Sequence, residues 1–244
     1  MKPSLNIITI TKDDPDGVVA TVESTKVLRD NFDVRQIVVD SSADPVSGKL
    51  QKHLVGEQNV EYIWQKPEGI SAAFNQGIKA LNSEWVWFLN GRDEVHPQLD
   101  TRLLLQILDS SRADVVIFQI EYMDSKVPPR KRPPLWSVWP PMYPNWVPHP
   151  ATFIRTRLFE QYGVYDTDFK IAMDADWWMR VFSQNVTVDM LSIPVTLYDL
   201  NGVSATNSVR TDKEARRIIR KNIGILVKKW LSRGIHLFRA YTKL

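Results

Sequence analysis

The chain has 244 residues, a formal net charge of +3 and no cysteine. That length suits one α/β domain with a sizeable core, or one domain and a helical tail. The missing cysteines exclude disulfides, thiolate zinc sites and a cysteine nucleophile.

The first apolar run, residues 5–11, is short and β-branched, which predicts a buried strand. Asp13 and Asp14 follow it at once, so it does not read as a secretory signal. Nowhere do about 18 apolar residues run together, as a spanning helix would need; the expected location is the cytoplasm. A helix is predicted over 18–31, a strand over 34–40, a short helix over 47–54 and a strand over 60–64. The next helix covers 70–82, with Ile70, Phe74, Ile78 and Leu81 on one stripe. A strand over 85–89, a helix over 99–110 and a fifth strand over 115–120 complete the alternation. Strands alternating with helices call for a mostly parallel sheet with helices on both faces. Ligands bind such sheets beyond the carboxyl ends of the strands. Residues 11–13, 40–42, 68–69 and 90–93 should therefore gather on one rim.

Residues 127–150 hold nine of the fifteen prolines together with Trp136, Trp139 and Trp146, so no regular element is expected there. Between those prolines Arg130, Lys131 and Arg132 form a small basic cluster. A strand over 151–155, helices over 157–162 and 174–183, and a strand-like run over 186–195 follow. From Thr211 the chain reads as an amphipathic helix, with Ile219, Ile223, Leu226 and Trp230 on one face and Arg217, Lys221 and Lys228 roughly opposite. Residues 211–244 carry ten Lys/Arg against Asp212 and Glu214, which leaves the rest of the chain net acidic. Two readings stand: a helix docked on the domain with a solvated basic face, or a helix lying on an anionic membrane surface. The basic tail comes with no nucleic-acid recognition signature, and no nucleic-acid partner is expected.

Six blocks in order resemble the family 2 glycosyltransferases of the GT-A fold that build bacterial polysaccharides of the O-antigen or colanic-acid type. They are residues 6–12 (NIITITK), 37–42 (IVVDSS), 68–78 (EGISAAFNQGI), 86–93 (VWFLNGRD), the stretch from His149 to Arg180, and 201–204 (NGVS). The resemblance implies a Rossmann-like, nucleotide-sugar-binding half over 1–125, an acceptor and catalytic half over 126–210, and a basic helical tail over 211–244. It also implies an inverting transfer from a nucleotide-diphosphate sugar, UDP-linked by preference, to a glycan or lipid-diphosphate-linked acceptor.

The same resemblance distributes the roles. Thr9, Thr11, Asp40, Glu68, Gly69, Asn75, Asn90, Arg92 and His149 fall on the donor side. A carboxylate such as Asp40 can accept hydrogen bonds from base N–H groups or ribose hydroxyls, or simply cap a βα turn. Gly69 lets backbone approach a ligand. Asp93 is the candidate ligand for magnesium or manganese, in a turn where Asn90 and Arg92 replace common acidic positions. Ala72 stands where relatives often carry Asp. The acceptor hydroxyl must lose a proton as it attacks, and Asp174, with Asp176 as the second candidate, supplies the carboxylate. The competing reading is a donor-binding protein that has lost catalysis.

Overall fold

The computed structural model describes residues 4–124, 126, 147–202, 208–224 and 227. The basic cluster at 130–132, Trp136, Trp139, Trp146 and the tail residue Trp230 lie outside them.

Strand β1 (Leu5–Thr11) is followed by helix α1 (Pro15–Asn31), β2 (Val34–Asp40), α2 (Val46–Leu54), β3 (Val60–Trp64), α3 (Ile70–Lys79) and β4 (Trp85–Phe88). Next come β5 (Glu94–Val95), α4 (Thr101–Ser110), β6 (Val115–Tyr122), β7 (Thr152–Arg155), α5 (Arg157–Tyr162), α6 (Met173–Val181), β8 (Val188–Tyr198) and α7 (Ser208–Lys221). Helix α1 starts three residues earlier than its apolar pattern suggests. Pro15 fits the first turn, where its missing N–H costs nothing, and Asp14 caps it by accepting the Gly17 N–H at 3.3 Å.

One eight-stranded sheet runs in the order β3-β2-β1-β4-β7-β6-β8-β5. Its first half, β3-β2-β1-β4, is parallel throughout, as the alternation predicts. The second half is mixed. Strand β7 inserts antiparallel between β4 and β6, and β5 pairs antiparallel with β8, while β6 and β8 run parallel. Two residues are too few for periodicity to reveal β5, and β7 reaches its place only after the proline-rich stretch. The whole remains an α/β sheet with helices on both faces.

Both faces of the sheet are covered, so its strands are apolar on both sides. Ile8, Val86, Phe88 and Ile154 pack with α3, α5 and α6. Their neighbours Ile7, Trp85, Trp87 and Phe153 point the other way, toward Leu104 and Leu108 of α4. Gly77 lets α3 lie close on β1: a Cβ there would stand 2.6 Å from Ile8 Cγ2. Helix α7 crosses the expected boundary at residue 210 and docks on the body through fully buried Ile218.

Candidate active site

The carboxyl ends of β1, β2 and β3 meet at one rim: Thr11 is the register partner of Asp40, and Asp40 that of Trp64. Asp13, at φ 57°, donates its N–H to Ser42 Oγ at 2.7 Å and stitches the first two loops together. Asp40 is fully buried. Its Oδ1 accepts the Ser42 N–H and its Oδ2 the Tyr62 hydroxyl, both at 2.8 Å. Burial, and then the bond to Asp40, push the Tyr62 hydroxyl far above its ordinary pKa, so it stays a donor. The Trp64 Nε1–H donates to the Ser42 carbonyl at 2.9 Å, and 54% of this residue stays exposed on the rim.

Beyond β4 the chain turns through Asn90, Gly91, Arg92 and Asp93. Arg92, at φ 76°, grips the Asp14 carboxylate with two bonds of 2.6 and 3.0 Å. Asp93 is 3% exposed, and its Oδ1 accepts the Asp199 N–H at 3.1 Å. Its Oδ2 and the buried Asn90 Oδ1 have no hydrogen-bond partner among the described residues. Burial lifts the Asp93 pKa to about 7; the Asp199 N–H and the Asn90 side chain oppose that rise, and the Asp199 carboxylate adds to it. Two buried oxygen acceptors without donors, beside a second carboxylate, suit a hard divalent cation. No group of three or more His, Cys, Asp or Glu side chains placed to hold a metal occurs among the described residues. The set therefore fits a magnesium-like ion that takes one or two carboxylates from the protein and further oxygens from phosphate and water.

Asp174 lies in the first turn of α6, and its Oδ1 accepts the Ala175 N–H at 2.7 Å. Burial raises its pKa to about 6, against the pull of the Ala175 N–H and its own. The helix terminus alone would hold this carboxylate low; desolvation wins. Tyr165 is close enough to feel its charge. The Tyr165 hydroxyl is 2.9 Å from His149 Nε2, and His149 stacks on Phe88 with ring centroids 4.8 Å apart. Burial drives the His149 pKa down to about 4, so the imidazole is neutral at pH 7. Contacts thus run from the last residue of β4 through His149 and Tyr165 to the neighbourhood of Asp174.

The loop leading into α6 is held from outside. Glu214 of α7 accepts the N–H groups of Lys170, Ile171 and Ala172 at 2.9–3.1 Å. Among the described residues α6 has no side-chain cap of its own, so Glu214 supplies one from another helix. Burial alone would raise the Glu214 pKa; the three N–H groups and Arg210 outweigh it and bring it below the usual carboxylate value.

Residues 6–182 match the model of the family described as Glycosyl transferase family 2. The chain belongs to that family. It is 28% identical over 200 residues to an uncharacterized glycosyltransferase found in two strains of Mycobacterium tuberculosis, covering 73% of this chain and 68% of the relative. The fold superimposes on S. aureus TarS 1-349 with a TM-score of 0.65 at 14% identity, over 80% of this chain and 60% of that one. It also superimposes on the mannosyltransferase PcManGT of Pyrobaculum calidifontis, solved with GDP-Man and Mn2+, with a TM-score of 0.59 at 13% identity, over 81% and 57%. This chain therefore spans about three fifths of each solved relative.

In this family 2 glycosyltransferase the predicted donor-side residues separate into two groups. Thr11, Asp40, Gly69, Asn90, Arg92 and Asp93 are rim residues. Gly69 takes φ 107°, a backbone that only glycine adopts without strain, and stands at the start of α3; the exposed Glu68 precedes it. Thr9 is not on the rim. It is fully buried, donates its hydroxyl to the Leu89 carbonyl at 2.7 Å and accepts from Gln36 Nε2 at 2.9 Å. Asn75 turns toward residue 165, where its amide clamps the Tyr165 backbone at 2.8 and 3.0 Å. Arg92 is committed to Asp14, and His149 is an uncharged core group.

Asp176 departs furthest from its expected place. Its side chain has no exposed surface and meets Arg180 at 3.3 Å, Lys221 at 3.0 Å and Asn222 at 3.4 Å. Two residues along a helix is a rotation of about 200°, so Asp174 and Asp176 cannot face the same space. Sequence reasoning passed over Tyr62, Tyr165, Asp199 and Glu214. Only Asp199 carried a signal, its place just before the Asn201-Gly202 turn.

Proposed function

We propose that this glycosyltransferase moves a sugar from a nucleoside diphosphate donor, UDP-linked by preference, to a hydroxyl of a glycan or lipid-diphosphate-linked acceptor in cell-surface polysaccharide synthesis. The nucleoside would lie against the stitched loops around Asp13, Ser42 and Trp64, and the diphosphate near Asn90 and Asp93. Asp40 acts there by holding Ser42 and Tyr62 in place. A divalent cation held by Asp93, with Asn90 and Asp199 beside it, would neutralise charge developing on the diphosphate. The acceptor oxygen attacks the anomeric carbon as the bond to the diphosphate breaks, and its proton passes to a carboxylate oxygen of Asp174. One displacement inverts the anomeric centre.

The observation that supports this reading most is the presence in one domain of an acid with an orphaned buried oxygen (Asp93) and an acid poised near pH 6 (Asp174). The first suits a cation and the second a general base. The test is a panel of nucleotide sugars, with and without magnesium or manganese, read by melting temperature and by transfer. A donor at a hundredfold excess over its Kd should stabilise the protein by about 2.7 kcal/mol. No response to any donor would defeat the proposal. The engagement of Arg92 with Asp14, in a turn short of acids, favours a second reading: a donor-binding protein without transfer. Stabilisation by donor and metal without turnover across an acceptor panel would select it.

A further inference from the structure

Helix α7 turns its side chains the opposite way from what its pattern suggests. Arg217 and Lys221, expected in solvent, pair inward with acids of the body: Arg217 with Asp168 at 2.8 Å, and Lys221 with Asp166 at 2.8 Å and Asp176 at 3.0 Å. Arg210 and Glu214 pair on the same side. Ile218 docks on the body, but the described apolar residues of the expected stripe are left outside. Ile219 is 36% exposed, and beyond the end of the helix Ile223 is 58% and Val227 50%; Val209, near its start, is 84% exposed. Lys213, Arg216 and Arg220 are exposed among them and have no carboxylate partner among the described residues. At 100° per residue, Val209, Lys213, Arg216 and Arg220 fall within about 60° of arc.

We infer that this outward face of α7 seats the protein on an anionic lipid surface. Aliphatic side chains interleaved with unpaired cations match a headgroup region, where the former enter the acyl boundary and the latter meet phosphate. A second copy of the chain fits poorly, because an isologous contact would set three unpaired cations against three others. The charge continues along the chain: residues 211–244 hold ten Lys/Arg and two acids. Sequence pattern alone left two readings, a helix docked on the body with its basic face solvated and a helix lying on a membrane surface. The body acids Asp166, Asp168 and Asp176 draw the basic side inward. The same helix carries Glu214, so the lipid-facing element is also the one that clamps the loop before Asp174.

The experiment is co-sedimentation of the full chain with vesicles of phosphatidylcholine alone and of phosphatidylcholine with phosphatidylglycerol. Binding is expected only to the anionic vesicles, falling as salt rises. The triple variant K213E/R216E/R220E should lower the partition coefficient by about a hundredfold, at roughly fivefold for each cation lost. Ile219→Asp with Ile223→Asp should lower it as well. The triple variant should keep the wild-type melting temperature, since none of its side chains has an ion pair to lose, and Ile223→Asp alone, at the more exposed position, serves as the apolar variant if the double one melts lower. The inference is overturned if the full chain ignores anionic vesicles at low salt, or if the triple variant binds as tightly as wild type. It is also overturned if sedimentation shows a dimer that Ile223→Asp dissolves while vesicles go unbound. None of these outcomes depends on whether sugar is transferred.

Discussion

Two regions of the molecule each hold a pair of carboxylates, one at the strand ends and one on α6, and within each pair the treatment differs. On the donor side, Asp40 accepts hydrogen bonds on both oxygens, whereas Asp93 keeps an orphaned oxygen beside a second acid. On α6, Asp176 is ringed by Arg180, Lys221 and Asn222, while Asp174 has only backbone N–H groups to offset its desolvation. Compensated carboxylates hold the structure together. Uncompensated ones store a tendency to bind a cation or a proton, and chemistry can draw on that. The comparison favours structural roles for Asp40 and Asp176 and marks Asp93 and Asp174 as the pair to test for function.

The largest effect should come from breaking the α6 pair. Asp174→Asn keeps the size of the side chain but cannot take a proton, so transfer should fall roughly 10²- to 10⁴-fold with donor affinity unchanged. Asp176→Asn should retain most of the transfer rate and instead lower the melting temperature, because it leaves Lys221 and Arg180 short of a buried partner. An inactive Asp176→Asn beside an active Asp174→Asn would reverse the assignment.

Asp93 tests the donor side. Its pKa is raised above the unfolded value, so its contribution to stability is present below about pH 4 and is lost as pH rises toward 7, where the buried group ionises. Asp93→Asn should therefore gain stability over wild type at pH 8 relative to pH 4, by up to roughly 4 kcal/mol. The same variant should lose the metal-dependent part of donor binding. Denaturant titrations at the two pH values check the first statement and calorimetry with manganese the second; equal stability at both pH values would show that Asp93 is not a strained acid.

The pH dependence of transfer sharpens the contrast further. With saturating donor, the rate should climb as pH rises through about 6, where Asp174 gives up its proton. A flat profile between pH 5 and 7 would remove Asp174 as the base.

The smallest effect is expected at Glu214. Glu214→Gln replaces a charged acceptor of three N–H groups by a neutral one and should cost about 1–2 kcal/mol of stability. Its folded pKa is lowered, so that loss should be present at neutral pH and fade as pH falls through the carboxylate range. If the clamp also positions Asp174, kcat should drop while donor Kd holds; an unchanged kcat would confine Glu214 to stability.

The amino-acid sequence by itself determined the order of strands and helices, the parallel half of the sheet and the rim where Thr11, Asp40, Gly69 and Asp93 gather. Each of these rests on local periodicity or on turn chemistry within a few residues, and both are written in consecutive positions. Only the tertiary structure decided that β7 would enter the sheet antiparallel, that Thr9 and Asn75 would bond to distant parts of the chain, and which of Asp174 and Asp176 is fully buried. It likewise decided which side of α7 points outward. These outcomes depend on partners far along the chain: Gln36 for Thr9, Tyr165 for Asn75, Lys221 for Asp176 and Asp168 for Arg217. Helical spacing shows that two side chains lie on opposite faces. It does not show which face will meet a charge, because that charge comes into reach only once the chain has folded.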